Sequence, residues 1–74
     1  MIDLETKFKR AVKRLRDGKI SAIELWRDGD FVAKLFSAEP IDEDRLEWRN
    51  DYLLVYMKDS YGSYASFDSV REEK

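Results

Sequence analysis

The sequence contains no histidine and no cysteine, and only one proline and three glycines among its 74 residues. Histidine is the side chain that titrates near neutral pH, which makes it the commonest general base and metal ligand. Cysteine is the strongest nucleophile among the side chains and the usual structural zinc ligand. Without either, Ser-His-Asp and Cys-His catalysis, zinc sites and thiol redox chemistry are excluded. No disulfide can staple the chain, so its stability has to come from apolar packing, helped or not by self-association. Gly18, Gly29 and Gly62 stand apart from one another, so no phosphate loop or dinucleotide fingerprint can be drawn. No apolar run approaches the roughly 18 residues that a membrane span requires. The segment Met1-Ile2-Asp3-Leu4-Glu5 is charged within three residues and has no apolar stretch of signal type. A cytoplasmic protein is the expectation, and the missing cysteines agree with it.

What is present is apolar and charged material in nearly equal amounts, 43% and 41% of residues, with ten aromatics. That much apolar content argues against disorder, and 74 residues make one domain near the lower limit for a self-sufficient core. The net charge of −2 conceals a division along the chain. Residues 1–20 carry seven basic and three acidic groups, a net of +4, and the remainder carries −6. Such a split fits either a charged partner or a basic helix attracted to an acidic sheet.

Residues 3–17 read as an amphipathic helix. Leu4, Phe8, Ala11, Val12 and Leu15 form one stripe. Asp3 suits the N-cap, Arg14 and Arg16 suit the C-terminal end of the dipole, and Gly18 supplies the stop. The segments 20–27 and 30–37 flank Asp28-Gly29, a preferred type I′ hairpin turn, which sets Trp26 opposite Phe31 and Leu25 opposite Val32. The pattern leaves open which face of this hairpin meets the helix. Residues 37–44, with Pro40 and the acidic group Glu39, Asp42, Glu43 and Asp44, read as a loop.

A second hairpin joins 45–49 to 52–58 through Asn50-Asp51. It places Leu46, Trp48, Leu53, Val55 and Met57 on one face, a coherent core surface. The other face carries Arg45, Glu47, Arg49, Tyr52, Leu54 and Tyr56. A turn at 59–63, a short strand at 64–67 and a frayed charged tail at 70–74 complete the chain. The expected fold is therefore α+β in one domain spanning 1–74: an amphipathic N-terminal helix on an antiparallel β-meander of about five strands. A lone helix covers only one face of such a sheet. The sheet must expose the other, curl into a half-barrel, or dimerise.

Three groups of residues are candidates for function. Tyr52 and Tyr56 share a strand face, Tyr61 and Tyr64 lie in or beside the following turn, and Arg45, Arg49 and Leu54 accompany them. Tyrosine combines contact area with a polar tip and little entropy loss, which suits protein interfaces; the same rings could stack on bases. Without a partner, they are ordinary cross-strand neighbours. The second group is Lys7, Lys9, Arg10, Lys13, Arg14 and Arg16, a basic helix face able to meet phosphates. Nucleic-acid domains, however, are commonly basic overall, and this chain is not. Binding to an anionic membrane surface would need the helix's apolar stripe, which the core requires.

The acidic group is the third candidate. It matches no calcium loop, and a domain of this size has little room for a sugar-enclosing carboxylate cleft. It reads as a solvated loop or one that meets a basic partner. No cofactor is implied. The leading expectation is a non-enzymatic protein-binding module or inhibitor acting through an aromatic and charged sheet surface, the partner being another protein or a second copy. Small acidic proteins of this kind occur among phage and mobile-element accessory proteins. The alternative is a small nucleic-acid-binding regulator acting through the helix.

Overall fold

The computed structural model describes residues 3–74. The helix α1 runs Leu4–Arg16, and Asp3 caps it by accepting a 2.8 Å hydrogen bond from the Thr6 amide. This bond, made to the charged form, holds the Asp3 carboxyl below its ordinary pKa. Glu5 in the first turn and Lys13, Arg14 and Arg16 in the last complement the dipole, and Gly18 follows with φ of +76°.

Six strands follow: β1 (Ala22–Arg27), β2 (Asp30–Leu35), β3 (Ile41–Arg49), β4 (Tyr52–Met57), β5 (Tyr64–Phe67) and β6 (Ser69–Glu73). They form two antiparallel three-stranded sheets, ordered β2-β1-β6 and β3-β4-β5. Only Asp68 separates β5 from β6, so a nearly continuous strand passes from one sheet to the other. Asp68 pins that corner to the first hairpin. Its amide donates to the Trp26 carbonyl, and its carboxylate accepts from the Asp28 amide.

The core lies between the helix and the inner faces of both sheets. Phe8, Ala11, Val12 and Leu15 of α1 pack among Ile23, Leu25 and Val70 of the first sheet and Ile41, Leu53, Val55 and Phe67 of the second. The Phe8 and Phe67 rings meet with centroids 5.0 Å apart. The Leu53 and Val55 face of the second hairpin thus turns toward the helix, as its pattern predicts. In the first hairpin, Ile23 and Leu25 point inward, while Trp26 pairs with Phe31 outside the core.

The structure departs from the sequence reading in four places. A β-bulge shifts the register between Leu25 and Trp26, so Leu25 faces Ala33 rather than Val32. The segment 37–44 is not all loop: β3 begins at Ile41, whose burial anchors the strand despite the acidic residues after it. A second irregularity separates Asp42 from Leu46, which interrupts the alternation that would reveal a strand. The tail does not fray, because Val70 is buried opposite Leu25 and residues 69–73 pair with β1. Finally, Trp48 lies on the core-facing side of an edge strand, yet remains 50% exposed.

Candidate arginine–tyrosine surface

The outer face of the β3-β4-β5 sheet gathers most of the tyrosine group. Register places Tyr52 beside Arg49, Leu54 between Glu47 and Ser66, and Tyr56 beside Tyr64. Tyr52, Leu54 and Tyr56 do not form the exposed apolar patch that a bare sheet would give. Leu54 is only 6% exposed and the two tyrosines are half-buried. Their cover is neighbouring side chains rather than a second helix. Arg27, at the end of β1, lies with its guanidinium carbon 3.6 Å from the Tyr52 ring centroid and donates to the Ser66 hydroxyl at 3.2 Å. Arg45 sits 4.6 Å from the Tyr56 centroid. These distances lie within cation–π range.

Glu47 organises the middle of the face. Its carboxylate accepts from Arg49 Nε and from the Tyr56 hydroxyl, each at 3.0 Å. The Arg49 bond, then the Tyr56 bond, hold the Glu47 carboxyl below its ordinary pKa. The same contact to Glu47 pushes the Tyr56 hydroxyl up, so Tyr56 stays neutral at physiological pH. The Tyr56 and Tyr64 rings lie 6.1 Å apart. Between these groups is a shallow depression of about 280 Å³ lined by Arg27, Arg49, Tyr52, Leu54, Tyr56, Tyr64 and Ser66.

Tyr61 stands apart from this set on the β4–β5 loop, 90% exposed. The Asp59 carboxylate holds the loop by accepting from the Tyr61 and Ser63 amides, and the Ser63 contact depresses its pKa. Arg27 is the member that the sequence does not reveal. It lies 39 residues from Ser66, and only the strand passing between sheets brings β1 beside β5.

The basic helix face is partly committed within the molecule. Arg14 donates to Glu72 of β6 at 2.9 Å, Arg16 to Glu43 of β3 at 3.1 Å, and Lys9 lies 3.8 Å from Glu5. The acidic sheet therefore does attract the basic helix. Lys7, Arg10 and Lys13 have no ion pair among the described residues. Asp42, Glu43 and Asp44 belong to β3, and the described residues contain no group of three or more carboxylates arranged to hold a metal ion. No described helix is long and apolar enough to cross a membrane. Comparison with protein families, curated proteins and solved structures gives no match, so any functional argument must come from this chain's own residues.

Proposed function

We propose that this protein is a non-enzymatic binding module that engages another protein through the outer face of β3, β4 and β5. One observation carries the reading: guanidinium groups are already laid against the Tyr52 and Tyr56 rings on an outward face. An arginine stacked in this way keeps donors at its rim for a partner's carboxylates and carbonyls. The stacking also fixes the side chain in advance, which lowers the entropy lost on docking. Tyrosine and arginine are the residue types in which interface energy concentrates.

The same stacking counts against base recognition. Arg27 and Arg45 occupy the Tyr52 and Tyr56 ring faces on which bases would have to lie. The lack of histidine and cysteine removes the usual catalytic groups. An inhibitor or adaptor acts in this way, by covering a partner's surface, and the absence of cysteine suits a reducing compartment such as the cytoplasm. A second reading rests on Lys7, Arg10 and Lys13, the helix cations without ion pairs among the described residues, which could meet phosphates.

Affinity capture from cells of the source organism, with and without nuclease treatment, separates the two readings. A specific protein should be retained by the parent and by a Lys9→Glu, Lys13→Glu variant, and lost by an Arg45→Glu, Tyr64→Ala variant. Loss of the partner on nuclease treatment, with nucleic acid recovered, would favour the helix instead.

A further inference from the structure

The flank of α1 beside β6 carries charge that the fold leaves unmatched. Lys7, Arg10 and Arg14 follow one another at three and four residues, so they line one side of the helix. Together with Glu72 of β6 they surround a cleft of about 560 Å³ between helix and strand. Arg14 Nε donates to the Glu72 carboxylate at 2.9 Å, which matches one cation with one carboxylate. Lys7 and Arg10 are exposed and form no ion pair among the described residues. Two positive charges are therefore left over in this cleft, in a chain whose net charge is −2.

The other flank of the helix differs. A depression of about 370 Å³ there is lined by Lys9, Lys13 and Arg16 together with Asp17, Glu43 and Asp44, three cations against three carboxylates. A nucleic-acid strand crossing the helix would leave Lys7 and Arg10 only to meet those carboxylates. The unmatched charge is confined to one cleft, which suits one compact anion. A phosphomonoester carries about −1.5 to −2 near neutral pH, whereas a carboxylate or a bridging phosphodiester carries a single charge. Guanidinium also meets phosphate oxygens through paired N–H donors. No aromatic ring or side-chain amide lines the cleft with which a base or a sugar would be read. The remainder of the ligand has to find its contacts elsewhere on the surface, as a segment of a protein does.

We propose that Lys7 and Arg10, with Arg14 held in place by Glu72, bind a phosphorylated serine or threonine side chain of a partner protein. The site shares no residue with the arginine–tyrosine face, so either assignment can fail alone.

Titration of the isotope-labelled full chain with a capped pentapeptide bearing a central phosphoserine between alanines, followed by NMR, tests it. Saturable shifts are expected at residues 7–14 and are absent with the unphosphorylated peptide. Arg10→Gln and Lys7→Gln should each weaken binding about tenfold, with the fold kept because glutamine is a good helix former. Lys13→Gln, on the balanced flank, should change it by less than about twofold. Between about pH 7.5 and about pH 5.5 the affinity should fall about fourfold as the phosphate takes up its second proton. The groups lining the cleft are Lys7, Arg10 and Arg14 from α1 and Glu72 from β6, with no histidine among them, so the change of charge over this range is the ligand's. Absence of shifts at residues 7–14 with the phosphopeptide in large excess overturns the proposal. So does an oligonucleotide without terminal phosphates that binds more tightly than the peptide and is lost in Lys13→Gln, which would give the helix to nucleic acid. Inorganic phosphate that binds as tightly as the peptide would overturn the assignment to a protein segment.

Discussion

Leu54 and Trp48 show how far a single residue's environment depends on partners remote in sequence. Alternation along β4 puts Leu54 on the face away from the helix, which is correct, and suggests exposure, which is not. Its cover comes from neighbouring side chains, with Arg27 arriving from the other sheet. Trp48 shows the converse, since it faces the core but sits on an edge strand. Phe8 is the case in which local pattern suffices, because a residue in the middle of the apolar stripe has nowhere else to point. It is fully buried against Phe67. Phe8→Ala should cost about 3–5 kcal/mol, enough to leave so small a domain largely unfolded. A thermal melt within a few degrees of the parent would show that the helix does not pack in this way.

Glu47 allows a test of the surface network through pH. Its carboxyl pKa is lowered in the folded state by Arg49 and Tyr56. The unfolded chain therefore binds the proton more readily, and stability from this group rises with pH. The contribution is complete above the unfolded pKa and is lost as pH falls through the folded one. Asp3, Asp59 and Glu73 are shifted the same way and add to the slope. Glu47→Gln should flatten, without abolishing, the fall in melting temperature between neutral and acid pH. An unchanged slope would mean that the network is not formed in solution.

At the scale of elements, helix and hairpins were legible for different reasons. The helix carries its own cap, stripe and stop within 16 residues. Each hairpin has a two-residue turn whose backbone demands are written in sequence: Asp28 and Gly29 both adopt positive φ, as does Asn50. The bulge at Val32 is invisible because Phe31 and Val32 fit either register. The beginning of β3 is hidden because Pro40 and three carboxylates are turn-like in composition, and only the pocket taking up Ile41 makes the segment a strand.

β6 was obscured for a similar reason. Its single apolar anchor, Val70, looks too little to order a charged tail, yet the strand pairs with β1 from Ala22 to Trp26. Ending the chain after Asp68 should then abolish cooperative unfolding, because β1 loses a neighbour and Val70 leaves the core. Removing Lys74 alone should be silent. Urea titration followed by tryptophan fluorescence distinguishes these outcomes, and a cooperative transition in the shorter chain would return residues 69–74 to the status of a tail.

For the molecule as a whole, two sheets joined at Asp68 present two outer faces of unlike chemistry. One is rich in arginine and tyrosine, and the other exposes Phe31 and Val32. The sequence revealed the tyrosines of the first face but not Arg27, and it named none of Phe31, Val32 and Phe36 as exposed. Arg27 was hidden because its approach to β5 depends on the β5–β6 corner, which no local pattern announces, and the β2 residues because both faces of the first hairpin are partly apolar. The charge split along the chain was readable, and its expression inside the fold is the attachment of Arg14 and Arg16 to Glu72 and Glu43.

The central claim is that the arginine–tyrosine face is where a protein partner docks. Hydroxyl-radical footprinting of the chain, free and bound to its captured partner, tests this at the side chains themselves. Binding should protect Tyr61 and Tyr64 strongly and Tyr52 and Tyr56 in part, with Leu4 and Leu15 of the helix unchanged. Unaltered oxidation of Tyr61 and Tyr64 in the complex, with protection confined to the helix, would contradict the account.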